Sequence, residues 1–525
     1  MILPLVAMPF LPIAGASLPG PGLPAAPPRA AALPVTVGVE AASPVGRSID
    51  EGLIGTNQSY GPAGSLVKAI GPDWARTDTS FQGTYDGKPV YNCATGAWNP
   101  VLLSQGLAAD AAEGGTPEVI VDYSPTCLTT SVPPGTNPSY APPDAGNWGP
   151  WDALVTKMGE YAISQGVRVF EVWNEPDWIF FDGNLPAYLQ LYAHTAQALD
   201  AAASTMHARI EIGGPATVTA DPVWINALAK LAVSDHLPLD FVSWHDYASD
   251  PAIGPFEPTP IGEMPPAPPA GVPPYWYSPV VTVRQYALET KMVRKVLSRY
   301  PELHPKLVVD EWNLDAGYDP RMSSAYDAAF VAAVLQTAEQ ARLSKMAFFR
   351  VTDSQHGNPY DNWGMLAFDN AGNLVPKPVY WSFLFWHDLA GEQVGTSVLP
   401  PQQAGRQSGV VRAVASVPRG DRVGKGPLAG RARGLRVLVS NFTSYDPTGG
   451  NGTSDPNPYD HKVILRVSGL APGKYEVARL AVDALDGGGP AGVPRTVQVF
   501  SNGRLEVPFI AYGYSANLVE ITRAG

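Results

Sequence analysis

The sequence predicts an α/β fold, a (β/α)8 TIM barrel with an additional antiparallel β-sandwich domain. From about residue 50 to 390, short β-branched runs alternate with longer amphipathic segments, which is typical of βα units around a parallel sheet. Beyond about residue 392, short alternating strands are separated by glycine and Asn-Gly turns, which favours antiparallel pairing. With 525 residues, of which 45% are hydrophobic, the chain is long enough for two or three domains.

Eight strands can be placed in the barrel region, each followed by a segment able to form a helix or a loop and a helix. They are Gly52–Asn57, Trp74–Thr77, Glu118–Tyr123, Val167–Trp173, Ile210–Gly213, Leu239–Trp244, Leu307–Asp310 and Met346–Val351. Apolar residues at every third or fourth position predict helices over Trp151–Gln165, Leu185–Ala203, Val281–Arg299 and Ser323–Ala341.

The β-sandwich is predicted from five short runs in the last quarter of the chain. They are Leu435–Ser440, Val463–Val467, Tyr475–Leu480, Thr496–Phe500 and Leu505–Pro508. The early run Val35–Val39 precedes the barrel, and we expect it to pair into the same domain. The predicted organisation is therefore a leader and linker over 1–34, a barrel over 50–391, and a sandwich formed by 35–49 and 392–525.

The N-terminal segment has part of the character of an export signal. Met1–Ser17 is mostly apolar and leads into the Pro/Ala-rich stretch Leu18–Leu33, but it lacks a basic region and contains prolines. We predict a secreted or periplasmic protein, and a mis-assigned start with a cytoplasmic location is the alternative. No other stretch approaches about 18 uninterrupted apolar residues, so no integral membrane span is predicted.

Composition limits the classes of partner. The formal net charge of -13 and pI near 5.1 oppose binding to nucleic acid or anionic lipid, which require a basic face, whereas a glycan remains compatible. Cys93 and Cys127 either form one disulfide or remain two thiols, and neither has a partner at the CxxC spacing of a metal site. The sequence does not indicate whether the protein is a monomer or an oligomer.

Two glutamates at predicted strand ends are the candidate catalytic residues. Glu175 follows the fourth strand and Glu311 follows the seventh, and both positions face the ligand side of a barrel, where the βα loops gather. Hydrolysis of a glycosidic bond uses such a pair, because one carboxyl group protonates the leaving oxygen while the other acts at the anomeric carbon. Asn174 places an amide beside the first glutamate, where it can bind a sugar hydroxyl.

The proline-rich segment Ser249–Ser278 interrupts the sixth βα unit. Its composition excludes both a helix and a strand, which predicts a long loop over the barrel mouth. We expect this loop to form a wall or lid of the substrate cleft.

Five stretches resemble glycoside hydrolase family 39, a family within the clan whose barrels end the fourth strand with Asn-Glu and the seventh with Glu. The family includes β-xylosidases, α-L-iduronidases and exopolysaccharide endoglycosidases, usually with a (β/α)8 barrel and a β-sandwich. The stretches are Phe170–Asp177 (FEVWNEPD), Ile212–Ala216 (IGGPA), Leu239–Ser249 (LDFVSWHDYAS), Val308–Asn313 (VVDEWN) and Gly364–Phe383.

The resemblance implies roles for individual residues. Glu175 corresponds to the general acid/base, Glu311 to the nucleophile, and Asn174 to a donor to the sugar 2-hydroxyl. His245 and Tyr247 match positions that orient the nucleophile and the sugar, and Arg76 matches an arginine that supports the nucleophile. The family usually has a tryptophan platform on the eighth strand, where this chain has Phe349; the monosaccharide is therefore open.

The predicted activity is a retaining glycoside hydrolase that acts by double displacement on an oligosaccharide or glycoside. A β-xylosidase-like or related exo-acting enzyme is expected, which requires no metal or organic cofactor. The alternatives are an endo-acting polysaccharide glycosidase of the same family and a non-catalytic carbohydrate-binding or scaffold barrel. His245 could instead be a packed histidine bonded to a backbone group, and Asp246 a solvated loop charge.

Overall fold

The computed structural model describes residues 33–49, 51–57, 63–78, 81–82, 84–129, 137–248, 283–315, 320–353, 362–399, 410–442, 460–483 and 495–524. The predicted leader and the proline-rich segment after the sixth barrel strand lie outside these residues. Among the described helices, none is both long and apolar enough to cross a membrane.

The strands up to the end of the barrel are β1 (Leu33–Ser48), β2 (Gly55–Asn57), β3 (Trp74–Asp78), β4 (Thr84–Tyr85), β5 (Lys88–Pro89), β6 (Tyr91–Asn92), β7 (Ala97–Trp98), β8 (Thr116–Val121), β9 (Val169–Val172), β10 (Glu211–Thr217), β11 (Phe241–Tyr247), β12 (Lys306–Asn313) and β13 (Lys345–Phe348). Those that follow are β14 (Leu366–Phe368), β15 (Leu374–Pro376), β16 (Glu392–Leu399), β17 (Val410–Val417), β18 (Gly434–Phe442), β19 (His461–Ser468), β20 (Gly473–Val482), β21 (Arg495–Val499), β22 (Leu505–Ala511) and β23 (Ser515–Arg523).

The α-helices are α1 (Gly64–Ala69), α2 (Val101–Glu113), α3 (Trp148–Ser164), α4 (Leu185–Thr205), α5 (Pro222–Asp235), α6 (Arg284–Leu297), α7 (Ala325–Ala341) and α8 (Pro378–Asp388). Local sequence explains several of their ends. The side chains of Asn184, Asp221 and Ser324 accept hydrogen bonds from the first-turn amides of α4, α5 and α7.

Eight strands close into a parallel barrel, in the order β2, β3, β8, β9, β10, β11, β12, β13 and back to β2. The predicted TIM-type barrel is confirmed, and each predicted barrel strand overlaps an observed one. The fifth and seventh strands are longer than predicted, since β10 continues to Thr217 and β12 to Asn313. This extension carries Glu311 into the strand itself.

An apolar layer fills the amino-terminal end of the barrel. Its members are Trp74, Val169, Phe241, Val308 and Ala347, which form one buried cluster. A side chain at Gly55 would meet the Trp74 ring at 2.3 Å, and one at Gly213 would meet the Phe241 ring at 2.5 Å. The two large rings therefore take space that glycines leave free.

The second domain is a nine-stranded sheet in the order β21-β20-β23-β18-β17-β16-β1-β19-β22. All its neighbours are antiparallel except β1 and β19, which pair in parallel. Val499 of β21 and Val507 of β22 belong to the same buried core although they lie at opposite ends of the order. The sheet therefore folds over one core, as the predicted sandwich requires, and β1 joins the N-terminal part of the chain to it.

The outer face of this sheet covers α7 and α8. Tyr326 and Phe330 of α7 pack against Phe442 with ring centroids 5.1 and 5.7 Å apart. Gln336 donates a hydrogen bond of 3.2 Å to the carbonyl of Leu438. Because α7 is enclosed by the barrel on one side and the sheet on the other, its sequence lacks the polar face of an ordinary barrel helix.

Cys93 and Cys127 form a disulfide, which settles the alternative that the sequence left open. Two hairpins, β4–β5 and β6–β7, are inserted between β3 and α2, and Cys93 lies in the turn of the second. Cys127 lies in the turn after β8. The bridge fixes the inserted hairpins to the loop at the end of the third barrel strand.

Candidate active site

The backbone after β9 turns sharply and directs Glu175 into the barrel mouth. Trp173 and Glu175 both have positive φ, at 70° and 44°, a conformation that costs a non-glycine residue about 1–3 kcal/mol. The turn is fixed by the Glu175 amide, which donates to the Ala216 carbonyl at 2.9 Å, and by the Trp173 indole, which donates to the Phe180 carbonyl at 2.9 Å. Trp173 is fully buried.

An extra residue in β12 places two consecutive acidic side chains inside the barrel. In the pairing with β11, Trp244 opposes Val309 and His245 opposes Glu311, so Asp310 has no opposite residue. The same irregularity appears against β13, between Val309 and Trp312. A β-bulge of this kind re-aims side chains, and here it lets both Asp310 and Glu311 contact the central arginine of the site.

Glu175 and Glu311 face each other across a short gap. One carboxylate oxygen of each, together with one ring nitrogen of His245, lies within 4.8 Å of the others. His245 Nδ1 is 2.7 Å from Glu175 Oε1 and 3.8 Å from Glu311 Oε2. His245 is therefore bonded to a carboxyl group of the site and is not a histidine held by the backbone.

Arg76 and Tyr247 hold Glu311 from two sides. Arg76 Nη1 contacts Glu311 Oε2 at 3.0 Å, and the Tyr247 hydroxyl donates to Glu311 Oε1. Arg76 Nη2 also donates to Asn174 Oδ1 at 2.9 Å, which leaves the Asn174 amide nitrogen as a donor. That nitrogen lies 3.2 Å from the Tyr123 hydroxyl. The structure thus brings together all six polar residues predicted for the site.

Below the two glutamates lies a layer of buried charge. Glu171 is fully buried. Its Oε2 lies 2.7 Å from Arg76 Nη2, and its Oε1 accepts a hydrogen bond of 2.6 Å from the Ser243 hydroxyl. Burial alone would raise the pKa of Glu171, but the charge of Arg76 together with hydrogen bonds from Asp310, Ser243 and Arg76 outweighs this effect and lowers the pKa. For Asp310, burial and then the negative charge of Glu171 raise the pKa well above its ordinary value. Within this layer, the ionised form of Glu171 and the protonated form of Asp310 are thus favoured.

Burial and nearby charges also determine the protonation states of His245 and Arg76. It lowers the pKa of His245 to about 4, although the charge of Glu311 acts in the opposite direction, so the imidazole is neutral. For Arg76, burial would lower the pKa, but the carboxylates of Glu171, Asp310 and Glu311 raise it well above its usual range. Arg76 is therefore a permanent cation in contact with the candidate nucleophile.

Aromatic side chains border the site on the β13 side. Phe349 lies beside Tyr247, with ring centroids 6.5 Å apart, and 5.6 Å from the ring of Trp363. The Arg350 guanidinium lies 5.1 Å from the centre of the Trp363 ring. The eighth strand itself has no tryptophan, but the following loop supplies one next to Phe349.

Sequence reasoning missed Glu171, Asp310, Tyr123 and Trp363. A signal existed for the first two, since an acidic residue inside an apolar barrel strand is rarely buried without a partner. The alternative in which Asp246 is a solvated loop charge is wrong. It is fully buried, and burial followed by the charge of Glu289 raises its pKa.

Two groups of described residues have donor atoms close enough to share a metal ion, Glu175–His245–Glu311 and Glu118–Glu171–Asp310. Arg76 contacts Glu311 in the first group and Glu171 in the second. The guanidinium thus already supplies positive charge to both groups. The arrangement suits chemistry by paired carboxyl groups.

The fold and the site define a TIM-barrel protein with two facing carboxyl groups at the carboxyl ends of its strands, the class to which many glycoside-cleaving enzymes belong. Residues 147–417 match the model of Glycosyl hydrolases family 39, about half of the chain. The chain belongs to this family, which confirms the resemblance seen in the sequence motifs.

A curated relative is the Beta-xylosidase of Caldicellulosiruptor saccharolyticus, 26% identical over 260 residues, which are 46% of this chain and 47% of the relative. The chain thus spans about half the length of the curated relatives it matches. Similar solved structures include a glucosidase from Croceicoccus marinus, with TM-score 0.68, 15% identity, and 94% and 100% of the two chains covered. Another is a monomeric beta-xylosidase from Caulobacter crescentus CB15, with TM-score 0.67, 16% identity, and 93% and 100% covered. At these identities the structures support the fold alone.

Proposed function

We propose that the protein is a retaining glycoside hydrolase in which Glu311 is the nucleophile and Glu175 the general acid/base. The observation that carries this proposal is the short gap between them, with one oxygen of each carboxylate within 4.8 Å of the other. Retaining enzymes hold the two carboxyl groups about 5–5.5 Å apart, whereas inverting enzymes separate them by about 6.5–9.5 Å to admit a water molecule.

The surroundings of the two glutamates support different roles. Glu311 receives hydrogen bonds from Arg76 and Tyr247, which stabilise its ionised form for attack on the anomeric carbon. Glu175 Oε1 lies 2.7 Å from Nδ1 of His245, an imidazole that burial keeps neutral, and a neutral neighbour suits a group that carries a proton.

In the proposed reaction, Glu311 bonds to the anomeric carbon while the proton of Glu175 passes to the departing oxygen. Glu175 then accepts a proton from water, whose oxygen attacks the same carbon and releases Glu311. Arg76 and Tyr247 keep the Glu311 carboxylate oriented, and Asn174 remains available to bind a hydroxyl of the sugar.

Among substrates, we propose an uncharged sugar removed from a chain end, as by the β-xylosidase relatives, rather than a uronic acid. Arg76 is engaged by Glu171, Asn174 and Glu311. The segments 130–136, 249–282, 316–319 and 354–361, which follow barrel strands along the chain, contain no lysine or arginine. A substrate carboxylate beside Glu311 would therefore be repelled by that glutamate, while Arg76 is already bound to carboxylates of the protein.

The catalytic assignment is tested with Glu311→Ala and Glu175→Ala, and with Glu302→Gln as a control at an exposed glutamate. On an activated aryl β-xyloside, Glu311→Ala should lose roughly 10⁴-fold or more in kcat. Glu175→Ala should lose roughly 10²–10⁴-fold on poor leaving groups and less on activated ones, with azide restoring turnover as a glycosyl azide. Full activity of either alanine variant would reject the assignment.

Substrate and stereochemistry need separate measurements. Aryl β-xylosides and β-glucosides should be cleaved in preference to α-L-iduronides, and NMR of the first product should show the anomer of the substrate. A defined oligosaccharide should lose one terminal sugar at a time. Internal cleavage products would indicate the endo-acting alternative, and an inverted first anomer would reject the double displacement.

We also propose that the protein is exported, which the Cys93–Cys127 disulfide supports because such bridges persist in oxidising compartments. Fractionation of cells that express the full chain should find it outside the cytoplasm. A cytoplasmic protein with both cysteines reduced would reject this proposal.

A further inference from the structure

Two buried polar groups face each other beneath Glu175 without a hydrogen bond. His245 Nε2 has no hydrogen-bond partner among the described residues, and the side chains of His245 and Asp310 are fully buried. The side-chain hydrogen bond of Asp310 is with Glu171, a second carboxyl group, and it exists only while one of the two carries a proton. His245 Nε2 and Asp310 Oδ1 are 3.8 Å apart, slightly beyond hydrogen-bond distance. A buried polar atom without a partner costs about 1–3 kcal/mol, so a small movement that closes this gap is favourable.

The other ring nitrogen of His245 contacts Glu175. With Nδ1 2.7 Å from Glu175 Oε1, the imidazole lies between Glu175 and Asp310. A neutral imidazole has one N–H and one acceptor nitrogen, so the hydrogen bond at one nitrogen determines the role of the other.

Asp310 is held among carboxyl groups with one nearby guanidinium. Arg76 Nε is 3.9 Å from Asp310 Oδ2, but Arg76 makes closer contacts of 2.7 and 3.0 Å to Glu171 and Glu311. The titratable or charged groups that face Asp310 are Arg76 on β3, Glu118 on β8, Glu171 on β9, His245 on β11 and the adjacent Glu311, with Lys345 on β13 acting on Glu118. Since carboxyl groups outnumber cations here, Asp310 is suited to hold a proton.

We propose that Asp310 is a positioning residue that exchanges a proton with Glu175 through His245. In one state Glu175 is protonated and donates to Nδ1, while Nε2–H donates to the Asp310 carboxylate. In the other state Asp310 is protonated and donates to Nε2, while Nδ1–H donates to the Glu175 carboxylate. The exchange breaks one O–H and one N–H bond and forms one of each, and the imidazole stays neutral.

The proposal rests on the proposed function for the role of Glu175 as acid and base. The exchange matches the two demands on Glu175, which must carry a proton in the first step and be ionised in the second. It also makes the two carboxyl groups share one proton over a range of pH. Loss of that proton leaves two negative charges on either side of His245, which is unfavourable and extends the active range toward higher pH.

Asp310→Asn tests the exchange, with Asp246→Asn as the matched control. The Asn amide can donate to Nε2, which fixes the Nδ1–H form and favours ionised Glu175, and it removes the second negative charge. In a plot of kcat/KM against pH, both effects should move the fall at high pH, the alkaline limb, toward lower pH by about one unit or more. Activity toward poor leaving groups should fall more than activity toward activated ones. Asp246 faces Glu289 rather than the site, so its variant should keep the parent limb.

An alkaline limb that does not move in folded Asp310→Asn would overturn the proposal. So would an equal loss on all leaving groups, because that indicates a structural role only. Both kinetic tests require a glycoside that the enzyme hydrolyses. If no such glycoside is found, the proposed function fails. The proton exchange is then decided by the NMR measurement below.

The second measurement uses the unaltered protein. With ¹⁵N-histidine labelling, and His245→Asn to assign the signals, both ring nitrogens of His245 should give shifts between the protonated and unprotonated values. A single fixed tautomer across the neutral pH range would overturn the exchange. This readout also decides the case if Asp310→Asn does not fold.

Discussion

Arg76→Met should destabilise the barrel in a manner that depends on pH. The substitution keeps an unbranched chain of similar length but removes the cation between Glu171 and Glu311. The side chains of Arg76 and Glu171 are 2% and 0% exposed, so water cannot replace the lost partner. Removing one member of a buried ion pair typically costs about 3–5 kcal/mol.

The sign of the pH dependence follows from Glu171. In the parent protein, Arg76 lowers its pKa below the ordinary 4.5 against the effect of burial, so its contribution to stability is present above that pH and is lost as the pH falls. In the variant, burial acts without the cation, and Glu171 stays protonated in the folded state while the unfolded state ionises. Above the ordinary value of 4.5, the stability of the variant therefore falls by about 1.4 kcal/mol per pH unit.

Between pH 5 and 7 the difference between parent and variant should grow by about 3 kcal/mol. Urea unfolding followed by tryptophan fluorescence at pH 5, 6 and 7 measures it. Arg412→Met in the sheet is the control, because Arg412 Nη1 has no described partner and burial lowers the pKa of Arg412 only to about 10. Arg412 is charged from pH 5 to 7, so the free energy of unfolding that Arg412→Met loses should be the same at each pH. An equal loss for Arg76→Met at pH 5 and 7 would refute the reasoning.

Three further changes give distinct outcomes. Tyr247→Phe removes the hydroxyl that donates to Glu311 and should lower kcat/KM about 10- to 100-fold on an aryl glycoside, the value of a hydrogen bond to a charged group. Replacing Cys93 and Cys127 by serine opens a bridge across a sequence separation of 34 and should lower the free energy of unfolding by about 3–4 kcal/mol in urea titrations. Phe442→Ala removes a buried ring at the contact of sheet and barrel, which should cost about 3–5 kcal/mol and lower the melting temperature measured by calorimetry.

Each of these changes has a control. Tyr85→Phe alters an exposed tyrosine and should keep parent kcat/KM, and equal losses in both tyrosine variants would contradict a specific role for Tyr247. Reduction of the parent protein should reproduce the double serine variant, and a stability unchanged by both would contradict the bridge. Phe500→Ala, at a 68% exposed ring, should leave the melting temperature unchanged. A similar null result for Phe442→Ala would contradict the packing argument.

The barrel and its main site could be predicted because they depend on local patterns. The alternation of β-branched runs and periodic segments located all eight barrel strands, and the acidic residues at two strand ends located Glu175 and Glu311. The inward direction of a side chain depends on the strand register, which neighbouring strands determine. For that reason the buried pair of Glu171 and Asp310 was not identified, although both residues were within stretches that carried the prediction.

Other features depended on contacts between distant segments. The surroundings of Asp246 became apparent only with Glu289 on a later helix beside it. Trp363 is distant from the eighth strand in sequence, and a search for a tryptophan within that strand could not find it. The disulfide was open because spacing along the chain gives no Cα separation, which the fold sets at 5.9 Å.

The bulge in β12 allows Asp310 to be deleted as well as substituted, and the deletion tests the role of the bulge itself. Val308 belongs to the interior apolar layer, and Trp312 packs outward against the ring of Phe330 on α7. If Asp310 is removed altogether, simple alternation still directs Glu311 inward and Trp312 outward. The ladder would become regular, and the carboxylate of Glu311, the proposed nucleophile, would keep its orientation. Asp310 is thus one residue more than a regular strand needs, and a chain from which it is deleted would test what the bulge adds to the proposed catalysis.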